Sequence, residues 1–362
     1  MRVVIACCGL EHTRRGYEAF SSELFGALSG HIDVTLCKGS GKRKPHEVVV
    51  PCLRRDFLGR FMSPWRALYW EQVTFAIALV PYLILNKVDL VHYSEGNLGN
   101  ALARFLRWVG LRTKLLQSNG GPLHPRHFNP EVFVHQVSKD GLDQAMEWGA
   151  HPARNHLVPY GINAGMFRRS VSREAARKQS GLPDRMFLIL ALAALSIKHK
   201  RLDYLIKEVA AVQNEDVFLC MAGEPTAESD DLRDLASRLL PGRHVFMTVS
   251  RARIPELLAA ADLFVHTAVH EGFGLVLLEA CAAGVPVVCH NSPHFRWVLG
   301  DAAHYTDMAA SGALSENLRY VIGNESMLRS LSALGAARAE NSFDWKILVP
   351  RYIAMYDAVL AS

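Results

Sequence analysis

Short apolar runs alternate with segments of helical apolar spacing along almost the whole chain, the pattern of parallel strands buried on both faces and joined by crossover helices. In the first half the runs predict strands at Val3–Cys8, Asp33–Cys37, Val48–Val50, Leu90–His92, Lys114–Gln117 and Val132–Val137. Helical periods fall at Tyr17–Leu28, Trp65–Leu85, Asn97–Val109 and Lys139–Trp148. The second half restarts with strands at Phe187–Leu192, Val217–Ala222, His244–Met247, Leu263–His266, Val287–His290 and Ala303–Tyr305. Helices are expected there at Leu202–Val212, Ser229–Leu240, Pro255–Ala261, Leu275–Ala283, Ala313–Gly323 and Glu325–Glu340. Between the halves, LVPYGINAGMF breaks both periods with Pro159, Gly161 and Gly165 and reads as the linker. The pattern is that of two doubly wound α/β domains, 1–162 and 163–344. A last amphipathic helix, within 345–362, carries Ile347, Tyr352, Met355, Tyr356 and Leu360 on its apolar positions and is expected to cross back to the first domain.

A chain of 362 residues, half of them apolar, is long enough for two cores. Its formal charge of +5 falls short of the basic surplus that marks nucleic-acid binding, and no nucleic-acid partner is expected. Seven scattered cysteines, odd in number and set among apolar neighbours, suggest a reducing, cytoplasmic setting without disulfides or structural zinc. The longest apolar stretch, Phe75–Leu85, is shorter than the roughly 20 residues a bilayer span needs and contains Pro81, so no segment is expected to cross a membrane.

The densest chemistry lies in Ala261–Val288. An apolar strand ends in a loop, and Glu271, Gly272, Phe273 and Gly274 open a helix that Gly284 ends. The two glycines permit close backbone approach, and the first free N–H groups of the helix form an anion site suited to a pyrophosphate. Glu271 in the loop and Glu279 inside the helix can accept hydrogen bonds from the hydroxyls of a sugar and of a ribose. The alternative is a helix-start acid and a solvated surface glutamate.

EGFGLVLLEA resembles the signature of family-four glycosyltransferases of the GT-B fold, two glutamates separated by seven residues. The resemblance continues in VSKDGLDQAMEWGA, HLVPYGINAGMF, HKRLDYLIKEV, FLCMAGEP and FDWKILVPRYIAMY, and weakens in the first 130 residues. It implies two Rossmann-like domains facing across a cleft, a nucleotide-sugar donor held mainly by the second, a hydroxyl acceptor held mainly by the first, and transfer with retention. By position, Glu271 would bind the donor sugar, the backbone of Gly272, Phe273, Gly274 and Leu275 would meet sugar and phosphate, and Glu279 would hold the ribose. The Thr248–Arg251 loop, with Ser250, would flank the base.

Departure of a nucleoside diphosphate concentrates charge on its β-phosphate, and cations there stabilise the transition state. Lys200 is the candidate, with Arg201 or Lys198 as the second cation. The family has an arginine five or six positions before its lysine and a glycine after it; this chain has Leu195 or Ala194, and Arg201. No Asp-x-Asp triplet occurs, so neither a metal nor another cofactor is expected. GSGKRK at 39–44 lacks phosphate-loop spacing and reads as a solvated loop.

In the first domain Gly9 and Gly16 flank the first strand–helix junction, and Asn119, Gly120, Gly121 and His124 follow a later strand. Many family members have a histidine where Asn119 stands; His124 either replaces it or satisfies its own loop. Residues 53–70 mix arginines with aromatics, which suits peripheral contact with an anionic membrane at its inner face, an acceptor-site lid, or a core helix with solvated arginines.

Overall fold

The computed structural model describes residues 1–13, 16–120, 129 and 131–362. It divides into two compact units, Met1–Gly161 with Trp345–Ser362, and Ile162–Asp344.

The first unit holds seven parallel strands: β1 (Arg2–Cys7), β2 (Asp33–Lys38), β3 (Glu47–Val49), β4 (Leu90–Tyr93), β5 (Lys114–Asn119), β6 (Phe133–Gln136) and β7 (Asn155–Leu157). Their order is β3-β2-β1-β4-β5-β6-β7. Central β1 pairs Val3 with Val34 of β2 on one side and with Leu90 of β4 on the other, so the order reverses between β1 and β4. Apolar runs buried on both faces make this sheet, and Val4, Ala6, Phe75, Leu79, Val91 and Leu102 share its core. The Asn155–Leu157 edge strand is absent from the sequence reading, because only one of its three residues is apolar and all are half-buried.

The Pro64–Leu85 helix, expected from Trp65 to Leu85, is longer than the apolar stretch it contains. It runs 22 residues and is, by length and composition, apolar enough to cross a membrane. The apolar stretch from Phe75 is bounded by Thr74, and Glu71 and Gln72 before it are buried here beside Phe75, Ala76, Leu79 and Leu83. Those two polar residues fit a helix with one face in a protein core. The C-terminal helix, Trp345–Ala361, belongs to this unit as well. Its Tyr352 donates to the Pro159 carbonyl at 3.0 Å, and a Cβ on Gly161 would come within 2.6 Å of the Trp345 indole.

The second unit holds six parallel strands: β8 (Phe187–Leu192), β9 (Val217–Ala222), β10 (His244–Met247), β11 (Leu263–His266), β12 (Val287–His290) and β13 (Ala303–Thr306). They are ordered β10-β9-β8-β11-β12-β13, and here the reversal falls between β8 and β11. Three further α-helices appear that apolar periodicity does not reveal, Ala164–Phe167, Arg173–Ser180 and Pro293–Leu299. Arg173–Ser180 is capped by the Ser172 side chain and ended by Gly181 at φ 65°, and Pro293–Leu299 is capped by Ser292, which accepts from the Phe295 N–H.

Candidate active site

Open parallel sheets bind ligands beyond the carboxyl ends of their strands, where the strand order reverses. In the second unit that point lies between β8 and β11, which pair Ile189 with Leu263 and Leu190 with Phe264. Lys200 stands in the loop after β8 and Glu271 in the loop after β11, and Lys200 Nζ lies 2.5 Å from Glu271 Oε2. His266, the last residue of β11, places Nε2 3.2 Å from the same oxygen. Thr267 ties the two loops together, its hydroxyl donating to the Lys200 carbonyl at 2.7 Å. Burial alone would raise the Glu271 carboxyl, but the hydrogen bond from His266 and the charge of Lys200 outweigh it and hold the group at about 2. Glu271 is therefore ionised at any physiological pH, an acceptor only, and His266 donates through Nε2.

Gly274 precedes the Leu275–Ala282 helix with φ 88°, a conformation that glycine adopts without cost. Its carbonyl takes the Leu277 N–H at 2.9 Å, while the amides of Leu275 and Val276 lack intrahelical acceptors, as at every helix start. Gly272 donates its N–H to Glu271 Oε1 at 3.3 Å. Phe273, whose backbone the resemblance assigns to the donor, has a buried ring, edge-on to Trp297 and Phe343, that anchors the loop. The adjoining Pro293–Leu299 helix fixes that loop: His294 Nε2 lies 3.1 Å from the Phe273 carbonyl, and Phe295 meets the His266 ring edge-on at 5.8 Å.

Glu279 is only 2% exposed, which removes the reading of a solvated surface residue. Its Oε1 lies 2.6 Å from Arg251 Nη1, and the Arg251 guanidinium in turn lies over the Phe167 ring. Arg251, at the end of the loop expected to flank a base, thus brings a cation to the second glutamate. Ser250 beside it is exposed and makes no cap bond to the turn it precedes.

The structure does not bring Arg201 to the Lys200–Glu271 pair. Its guanidinium donates to the Met308 carbonyl at 3.0 Å and lies 4.9 Å over the Tyr204 ring. Lys198 is exposed, in the field of Glu228.

In the first unit the reversal lies between β1 and β4. A Cβ on Gly9 would stand 2.7 Å from Glu18 Oε1, which explains a glycine in that loop. A Cβ on Gly16, which begins its helix, would meet nothing within 4 Å among the described residues. Cys8 donates its N–H to Glu95 Oε1 at 2.9 Å, and burial raises the Glu95 carboxyl to about 7. Glu18 and Glu95 escape a reading by motif, because their proximity joins residues far apart in sequence. Asn119 is buried at the end of β5 and donates to Gln136 Oε1 at 2.9 Å; Gly120 follows it with Tyr160 nearby. Gly121 and His124 lie outside the described residues.

Residues 172–337 match the family model of glycosyl transferases group 1. A phosphatidyl-myo-inositol mannosyltransferase of Mycobacterium leprae is 26% identical over 247 residues, 67% of this chain and 63% of the relative. An O-antigen chain mannosyltransferase B of Escherichia coli is 37% identical over 103 residues, 28% of this chain and 27% of the relative. The matches thus span less than two thirds of the curated relatives' length. Among solved structures, Anabaena Alr3699/HepE in complex with UDP and glucose superposes with a TM-score of 0.79 at 18% identity, covering 99% of this chain and 100% of that one. A sucrose-phosphate synthase of Thermosynechococcus elongatus reaches 0.84 at 16% identity, with 99% of each chain covered.

Two doubly wound parallel sheets with such neighbours define the GT-B fold class. The match to glycosyl transferases group 1 falls within the second unit, and each unit has the doubly wound sheet of that fold class.

Proposed function

We propose that the protein transfers a sugar from a nucleotide diphosphate donor to an acceptor hydroxyl, with retention and without a metal ion. The observation that carries this reading is the Lys200–Glu271–His266 cluster at the strand-order reversal of the second unit, beside a glycine-led helix start. Lys200 has three N–H donors, and Glu271 engages one of them. The others are available to a β-phosphate oxygen, the charge that grows as the donor bond breaks. Glu271, permanently ionised, accepts from hydroxyls of the donor sugar, and the amides of Leu275 and Val276 face the diphosphate. Glu279, with Arg251 upon it, holds the ribose. The acceptor oxygen bonds to the anomeric carbon on the face from which the diphosphate departs, the sugar–phosphate bond breaks, and the hydroxyl proton passes to the leaving phosphate oxygen. A lysine and helix amides supply fixed positive charge in place of a cation, which motivates the metal-independent form.

A uridine diphosphate sugar is the favoured donor and a guanosine diphosphate sugar the other one tested. The acceptor is a hydroxyl of a glycan, a lipid-linked sugar or a small molecule. The test is a panel of nucleotide sugars assayed for slow donor hydrolysis and for thermal stabilisation by mass action. Glu271→Ala and Lys200→Ala are each expected to lower turnover a hundredfold or more, from about 3 kcal/mol of lost transition-state stabilisation, while the proteins stay folded. Wild-type turnover in both variants would remove the site assignment. Activity abolished by a chelator and restored by Mg²⁺ would remove the metal-independent mechanism. Isomerised donor formed without an acceptor would replace transfer by epimerisation.

A further inference from the structure

Residues 55–85 leave an apolar face on the outside of the first unit. Phe57 and Phe61 are 55% and 74% exposed, their rings edge-to-face at 5.6 Å. On the Pro64–Leu85 helix Trp65 is 82% exposed, Tyr69 and Trp70 about half so, and Ile77, Ile84 and Leu85 continue the exposed apolar residues to its end. A surface helix ordinarily turns a polar face outward, whereas this one is apolar inside and out.

The face is held in place by a buried ionic anchor. Glu71, fully buried on the inner side of the helix, accepts from the Arg55 backbone N–H at 2.9 Å and pairs with its guanidinium, and His12 Nε2 lies 3.0 Å from the same carboxylate. Arg55 belongs to the short Arg55–Leu58 helix, so this contact fixes Phe57 outward beside the longer helix. Turning the long helix upright through a bilayer would strip Glu71 of these partners in hydrocarbon. Lying in the plane costs the anchor nothing.

Charge selects what covers the face. Arg54 pairs with Asp56, but Arg60 and Arg66 are exposed and have no ion-pair partner among the described residues. Tryptophan and tyrosine beside unpaired guanidinium groups match the headgroup layer of an anionic bilayer, where aromatic rings sit at the interface and arginines meet phosphate. A second copy packed on the same face about a two-fold axis would set like charges near one another.

We propose that this outward face docks in the plane of an anionic lipid membrane, with Trp65 and Trp70 at headgroup depth and Arg60 and Arg66 on lipid phosphates. The inference is independent of the transferase reading. It is tested by flotation of the full chain with phosphatidylcholine vesicles, with and without phosphatidylglycerol. The wild type is expected to float with the anionic vesicles, less so at high salt, and with a blue shift of tryptophan emission. Losing two arginines at about 1 kcal/mol each corresponds to roughly thirtyfold weaker binding for the double variant R60Q/R66Q. W65S/W70S is expected to lose both flotation and blue shift. All four side chains are exposed, so both variants should unfold at the wild-type temperature, which separates lost docking from lost folding. No flotation of the wild type, equal binding to both vesicle types, or self-association that W65S/W70S abolishes would each overturn the proposal.

Discussion

Arg201 holds a left-handed backbone, φ 53° and ψ 39°, immediately before the Leu202–Ala211 helix. For a residue with a Cβ that conformation costs about 1 kcal/mol, and at this position the resembled family has a glycine. The side chain offsets the cost through the Met308 carbonyl and the Tyr204 ring, contacts of about 1 kcal/mol each. Two substitutions separate these effects. Arg201→Ala keeps the backbone cost and loses the contacts, so it should destabilise by about 2 kcal/mol. Arg201→Gly loses both and should fall about 1 kcal/mol short of that, as urea denaturation can measure. Here the departure from the motif was legible in the sequence and its meaning was not, because Met308 is distant along the chain. His266 was hidden for the same reason: it reads as the end of an apolar strand until Lys200 and Glu271 meet beside it.

Among the elements, continuous apolar strands and striped helices were legible because burial on both faces, or on one stripe, writes itself into the residue pattern. Five strands of the second unit, β8 to β12, coincide with their apolar runs. The elements that escaped owe their structure to something else. REAARKQS forms a helix through the Ser172 cap and Gly181 stop rather than an apolar stripe, and NHL forms an edge strand by pairing with Val134–Gln136. The family signature singled out the Glu271–Gly274 loop, but how that loop is anchored, through Phe273 and His294, became visible only in the fold. Strand ends that bound the site are also packed too closely for side chains. A Cβ on Gly223, just after β9, would stand 1.7 Å from the Ala193 carbonyl oxygen. Gly223→Ala must push neighbouring backbone segments apart and should cost about 1–3 kcal/mol, whereas Gly16→Ala, in open space, should stay within about 0.5 kcal/mol. The midpoints of thermal unfolding test the contrast.

Across the molecule, a buried chain of hydrogen bonds joins the C-terminal helix to the first sheet. His135 Nε2 lies 2.7 Å from the Val158 carbonyl, which only accepts, so that nitrogen carries the proton. The direction of the rest follows: Ser118 donates to His135 Nδ1, His92 Nε2 to Ser118, and Tyr356 to His92 Nδ1. Both rings are neutral in this arrangement. Burial lowers His92 well below the ordinary value and His135 to about 4, with smaller contributions from neighbours. A lowered histidine contributes stability that is complete above the unfolded value near 6.5 and is lost as pH falls. Each pH unit from about 6.5 down toward 4 should remove about 1.4 kcal/mol per histidine. The urea midpoint of the first unit should therefore drop steeply across that window, with a shallower slope in His135→Gln. An equal slope in both proteins would place the acid sensitivity elsewhere.

The same helix reverses the order in which the chain can be completed. Ile162–Asp344 is one uninterrupted stretch, free to fold as soon as it leaves the ribosome. The lobe begun first must wait for Tyr352 and Tyr356, which follow the whole second unit along the chain, before its hydrogen bonds close. A nascent chain whose second unit has emerged while Trp345 and the residues after it have not would therefore carry one finished lobe and an earlier-made lobe still open.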